Sequence, residues 1–119
     1  MAGFNNAAMT VAAAALKGVL LGAQLHSAAA GSSGTSNLCS SGRIPVTWGS
    51  TTGNGDFGLA TQLDFVAGSS GGAVYSITLW GNATSGGTFY GEFVTTGDAT
   101  FNAAGEYSVT SINHDGTAS

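Results

Sequence analysis

The chain has 119 residues, of which only 7% are charged, with two cations (Lys17 and Arg43) against six carboxylates and a net charge of −4. Two cations can neither neutralise a run of phosphates nor hold to an anionic bilayer, so no nucleic acid and no membrane is expected as a partner. A surface this poor in charge has little self-repulsion and favours association.

Residues 4–25 read as a helix. Phe4, Ala8, Val11, Ala15, Val19 and Gly22 recur at the spacing of one helical face, and Met9, Ala13, Leu16 and Leu20 at that of a neighbouring face. Asn5 or Asn6 is placed to cap the start, and the alanines at 12–15 favour helix. Thr10, Lys17 and Gln24 make only a narrow polar stripe, so the helix must bury itself against its own sheet or a neighbouring subunit. A signal peptide would need a positive n-region, and no cation precedes Lys17. A membrane span would need about 20 apolar residues without a central lysine. The expectation is therefore a docking or oligomerisation arm over residues 1–24. Its candidate contacts are Phe4, Val11, Leu16, Val19 and Leu20.

Residues 28–58 are mostly turn and linker composition, interrupted by a short strand at Arg43–Trp48 in which Pro45 marks an edge or a strand start. Cys39 has no second cysteine to pair with and reads as a small buried residue. From residue 59 the period becomes two. Leu59–Phe65, Tyr75–Trp80, Phe89–Val94 and Tyr107–Val109 each alternate apolar and polar residues, separated by turn-forming segments at 68–72, 81–87 and 96–105. With strands near Gln24–Ser27 and Arg43–Trp48, the fold class is mainly β. It is a small antiparallel β-sandwich or flattened barrel of about six strands with an N-terminal α-helix. The β-domain is expected over residues 25–119.

Little in this inventory supports chemistry. Glu92, Glu106 and Asp64 fall on strand positions that point away from the core, where a solvated carboxylate is the ordinary outcome. His114–Asp115 lacks the further ligands of a metal site, and His26 is distant in sequence. The glycine clusters lack a lysine-bearing phosphate loop, and no G-x-S-x-G elbow occurs. Asn82-Ala83-Thr84 matches a glycosylation acceptor but reads as a turn. No catalytic residue, metal or cofactor is assigned, and no enzyme activity is expected. Trp48, Trp80 and Tyr90, with Tyr75, are the candidate ligand-facing aromatics of an alternative reading, a carbohydrate- or receptor-binding module.

The succession QLHSAAAGSSGTSN (24–37), RIPVTWG (43–49), ITLWGNATSGGTFYGEF (77–93) and GDATFNAAGEYSVT (97–110) resembles small virion proteins of tailed bacteriophages, especially those of actinobacteria. The resemblance implies a non-enzymatic structural protein of minor tail, tail-fibre-like or capsid-decoration type. Its location would be the head or tail surface of the particle, after assembly in the bacterial cytoplasm. The partners implied are further copies of itself, a trimer by analogy, and major capsid or tail proteins. The family carries over no catalytic residues.

Overall fold

A computed structural model describes residues 4–95 and 99–116. Helix α1 runs from Asn6 to Val19. Asn5 caps it, its side-chain oxygen accepting from the Ala8 amide at 3.0 Å and so satisfying one of the first-turn donors. The helix ends well short of residue 25. Its last turn closes with the Leu20 amide on the Leu16 carbonyl, and the next amide, Leu21, already donates to Trp80 in the sheet. Gly22 then opens strand β1 (Gly22–His26), where an added Cβ would lie 2.2 Å from the Asn82 carbonyl oxygen. Only glycine lets the chain pass so close to that turn.

Strand β1 sits inside a four-stranded antiparallel sheet of order β2-β1-β5-β6, with β2 at Leu38–Pro45, β5 at Ser76–Trp80 and β6 at Phe89–Val94. The register pairs Ala23 with Leu79 and Leu25 with Ile77, which sets these four side chains on one face. A second layer consists of two small antiparallel pairs. Strand β3 (Phe57–Gly58) joins β8 (Asn113–His114), and β4 (Leu63–Phe65) joins β7 (Tyr107–Val109). Phe57, Leu63, Phe65 and Phe101 fill the space between the layers. The fold is thus mainly β and antiparallel, with one N-terminal helix, as a small sandwich requires.

Among the described residues the strands number eight, where about six were expected. The long strand expected at 59–65 is broken: Phe57–Gly58 and Leu63–Phe65 pair with different partners, and Leu59 makes an isolated bridge to Trp48. Strand β2 starts at Leu38, inside the segment that composition marks as linker. The turn expected at 96–105 is described only from residue 99 onward. The boundary expected after residue 24 falls within β1. Ala13, Leu16 and Leu20 of the helical segment also pack into the same core as the sheet, so no separate arm precedes the sandwich.

Candidate functional site

The helix is turned against its own composition. Of its three polar residues Asn6 stays exposed, while Thr10 and Lys17 turn toward the loop at 49–53: the Thr10 hydroxyl lies 2.9 Å from the Asn6 carbonyl and 3.1 Å from the Gly53 carbonyl, and the Lys17 ammonium donates to the Gly49 carbonyl at 3.0 Å. Lys17 also lies 5.6 Å from the centre of the Phe57 ring. Met9 packs beside Gly55, while Ala13, Leu16 and Leu20 enter the core. The face read from sequence as Met9-Ala13-Leu16-Leu20 is therefore the inward one. Phe4 and Val11 are left 73% and 70% exposed and Val19 37%. Ala7, Ala14, Ala15 and Gly18, exposed between them, complete an outward surface without a polar side chain.

Of the five expected contacts, Phe4, Val11 and Val19 are thus accessible. Leu16 is half-buried against the core and Leu20 is 5% exposed, so neither is free to meet a partner. Spacing alone identifies both faces but cannot say which is docked. The two polar side chains decide it, because the loop at 49–53 offers carbonyls that need donors.

The three candidate aromatics do not form a platform. Trp48 lies on the core side, edge-on to Phe57 with ring centres 5.2 Å apart, and its indole N–H donates to the Leu20 carbonyl at 2.8 Å. Trp80 points to the other face of the sheet and is buried beneath the Arg43 guanidinium, 4.4 Å from the ring centre, with Phe89 beside it. Tyr90 is exposed on edge strand β6, and Tyr75 is exposed just before β5.

That second sheet face holds a buried polar cluster. His26, Ser76 and Thr78 alternate with core residues along β1 and β5, yet all three are completely buried. The His26 Nδ1 lies 2.7 Å from the Ser36 carbonyl oxygen, which can only accept, so Nδ1 carries the proton. Nε2 then accepts from the Thr78 hydroxyl at 2.9 Å, and that hydroxyl accepts from the Trp80 indole N–H at 2.8 Å. Beside this chain the Glu92 carboxylate accepts from the Ser76 hydroxyl at 2.5 Å and from the Ala30 amide at 2.9 Å. The Ser76 hydroxyl above all holds the Glu92 carboxyl below the ordinary glutamate range, against a weaker upward push from burial. The loop between β1 and β2 closes over the cluster, carrying Ala30 and Ser36 to it. Arg43 completes the face: it donates to the Gln24 side chain at 2.9 Å and to the Asn82 and Gly86 carbonyls of the β5–β6 turn.

Glu92 is half-buried on its strand and accepts from two protein donors, so its carboxylate is anchored to β5 and the β1–β2 loop. Glu106 stays exposed and accepts from Asn102, and Asp64 accepts from Gln62 and Ser108. Glu92 and Glu106 therefore do not converge. His114 stacks on Phe57 with ring centres 4.8 Å apart, remote in partners from His26. Among the described residues no three His, Cys, Asp or Glu side chains gather as metal ligands. The Asn82 side chain accepts from the Thr84 and Ser85 amides, the turn role read from its sequence. Cys39 is half-buried, with burial raising its thiol pKa, which disfavours the reactive thiolate.

A groove of mixed lining, of about 410 Å³, opens beside β6, with Thr95, Ser108, Thr110 and Ser111 among its polar walls. Ile77, Phe93 and Val94 line one wall, and Tyr107, Val109 and Ile112 the other. No described helix is long and apolar enough to cross a membrane. Compared with known proteins, the chain matches no family model, no curated protein and no solved structure.

Proposed function

We propose that this protein is a non-enzymatic structural subunit of a bacteriophage particle, docking on the head or tail through the outward face of α1. The observation that carries the reading is the inverted helix, which turns Thr10 and Lys17 toward its own loop and leaves Val11 and Val19, with Phe4 ahead of the cap, exposed. An apolar patch kept in water is costly unless a neighbour covers it. Two further features support the reading. The His26, Thr78, Trp80, Ser76 and Glu92 side chains of the sheet are engaged with one another and with nearby backbone. The segments at 24–37, 43–49, 77–93 and 97–110 resemble tailed-phage virion proteins.

Removing residues 1–24 is the wrong test, because it would take away Ala13, Leu16 and Leu20 from the core and three of the five residues of β1. Phe4→Glu and Val11→Glu change the outward surface alone. Quantitative protein analysis of purified particles should find these variants folded but absent. Normal incorporation of both would refute docking through α1.

A further inference from the structure

The loop on which α1 is seated carries a reactive dipeptide. Of the asparagines in the chain, Asn54 alone is followed by glycine. Asparagine is among the thermally labile residues, because the next amide nitrogen can attack its side-chain carbonyl. A glycine at that place puts no side chain in the way. Here one residue gathers both reactants. The Thr52 hydroxyl donates to Asn54 Oδ1 at 2.6 Å, and the Thr52 carbonyl accepts from the Gly55 amide at 3.0 Å. Electrophile and nucleophile are thus tethered to the same turn, with the hydroxyl aimed at the oxygen on which negative charge would build. Asn54 is half-buried, so water reaches it.

We propose that Asn54 is a site of spontaneous deamidation whose isoaspartyl product unseats α1. The Gly55 nitrogen gives up its proton to solvent and bonds to Asn54 Cγ. The Cγ–Nδ2 bond breaks, and that nitrogen leaves with a proton as ammonia. Water then opens the cyclic imide at either carbonyl. One opening gives aspartate. The other gives isoaspartate, in which the main chain runs through Cγ and is longer by a carbon atom. The seat has no room for that carbon. Gly55 lies in the left-handed region at φ 87°, and a Cβ added there would stand 2.6 Å from the Met9 carbonyl oxygen. From the other side Gly116 closes on it, where an added Cβ would stand 2.5 Å from the Gly55 carbonyl oxygen. Lengthening the chain between these contacts pushes Met9 away, and with it the Thr10 contact to Gly53. The seat also gates the reaction, since the Gly55 amide must release Thr52 before it can attack.

Purified protein incubated in warm, mildly alkaline buffer is followed by peptide mapping with mass spectrometry, beside a free peptide spanning residues 50–58. Asn54 should convert while the other asparagines stay intact. Thr10→Val, which frees Gly53, should speed the conversion about two- to tenfold, the weight of one net hydrogen bond. The deamidated fraction, isolated by ion exchange, should melt about 5 °C or more below the fresh protein, with faster hydrogen exchange along α1. Asn54→Asp carries the same new charge on an ordinary main chain and should lose less. Asn54→Gln, whose longer side chain disfavours the ring, should keep its midpoint through the same incubation. An Asn54 still intact once the free peptide has turned over overturns the site. A Thr10→Val rate equal to the native one overturns the gating. Conversion that leaves the melting temperature and α1 exchange unchanged, or that costs no more than Asn54→Asp, overturns the unseating.

Discussion

Thr78→Val would test how tightly the second face of the sheet is sealed. Valine keeps the shape of threonine, so no cavity opens and the change is confined to one hydroxyl. That hydroxyl is completely buried, accepts from the Trp80 indole N–H at 2.8 Å and donates to His26 Nε2 at 2.9 Å. Its loss leaves one donor and one acceptor without partners. Each buried orphan costs about 1–3 kcal/mol, so the variant should lose roughly 2–6 kcal/mol. A domain of this size has about 5–15 kcal/mol in total. The midpoint of thermal unfolding should fall by about 8–30 °C, at roughly 4–5 °C per kcal/mol. Guanidinium titration followed by tryptophan fluorescence and by far-ultraviolet circular dichroism supplies the free energy, and agreement of the two probes confirms a two-state transition. Trp80→Phe provides the internal check. It removes the donor that Thr78→Val orphans, so its added cost should be smaller in the Thr78→Val background than in the native one. A loss below about 1 kcal/mol for Thr78→Val would refute the argument, because it would mean that water reaches the cluster and satisfies it.

The other predictions concern single contacts. Glu92 has its carboxyl pKa lowered in the folded protein. Its stabilising contribution is therefore complete above the unfolded glutamate value, about 4.3. It is lost as pH falls through the lower folded value. Denaturant midpoints measured across that window should drop for the native protein and drop less for Glu92→Gln. Asn5→Ala should cost about 1 kcal/mol through loss of the cap to the Ala8 amide, seen as reduced stability in the same titration. Gly22→Ala should be among the most damaging single changes, at roughly 3 kcal/mol or more, since its methyl would collide with the Asn82 backbone. Expression of soluble protein and the melting temperature both read it.

Local patterning made some elements legible and left others hidden. Strand β6 occupies the same residues that alternation marks, Phe89–Val94, and β5 differs only by the loss of Tyr75. These strands carry aromatic and β-branched residues between glycine-rich turns, so nothing local competes with the strand conformation. Strand β2 was hidden because Cys39-Ser40-Ser41-Gly42 has the composition of a linker, and only the neighbouring β1 supplies the ladder that straightens it. The burial of β1 and β5 on both faces was hidden for another reason. Their alternating polar residues describe a solvated face until the β1–β2 loop folds over it, an event decided by His26 and Glu92 finding backbone partners in that loop. For the helix, both faces could be read from residue spacing. Which one docks depended on Thr10 and Lys17 meeting carbonyls more than thirty positions away.

The short passage from helix to sheet also has a mechanical side. Only Leu20 and Leu21 separate the end of α1 from β1, and both are already fastened, one to the helix and the other to Trp80. A tug on α1 therefore has no slack to take up and passes straight into β1. That strand is held between β2 and β5 by bonds lying across its axis, so a pull along it strains the two ladders together instead of peeling them pair by pair. Attached by α1, the molecule would resist traction with two strand ladders at once.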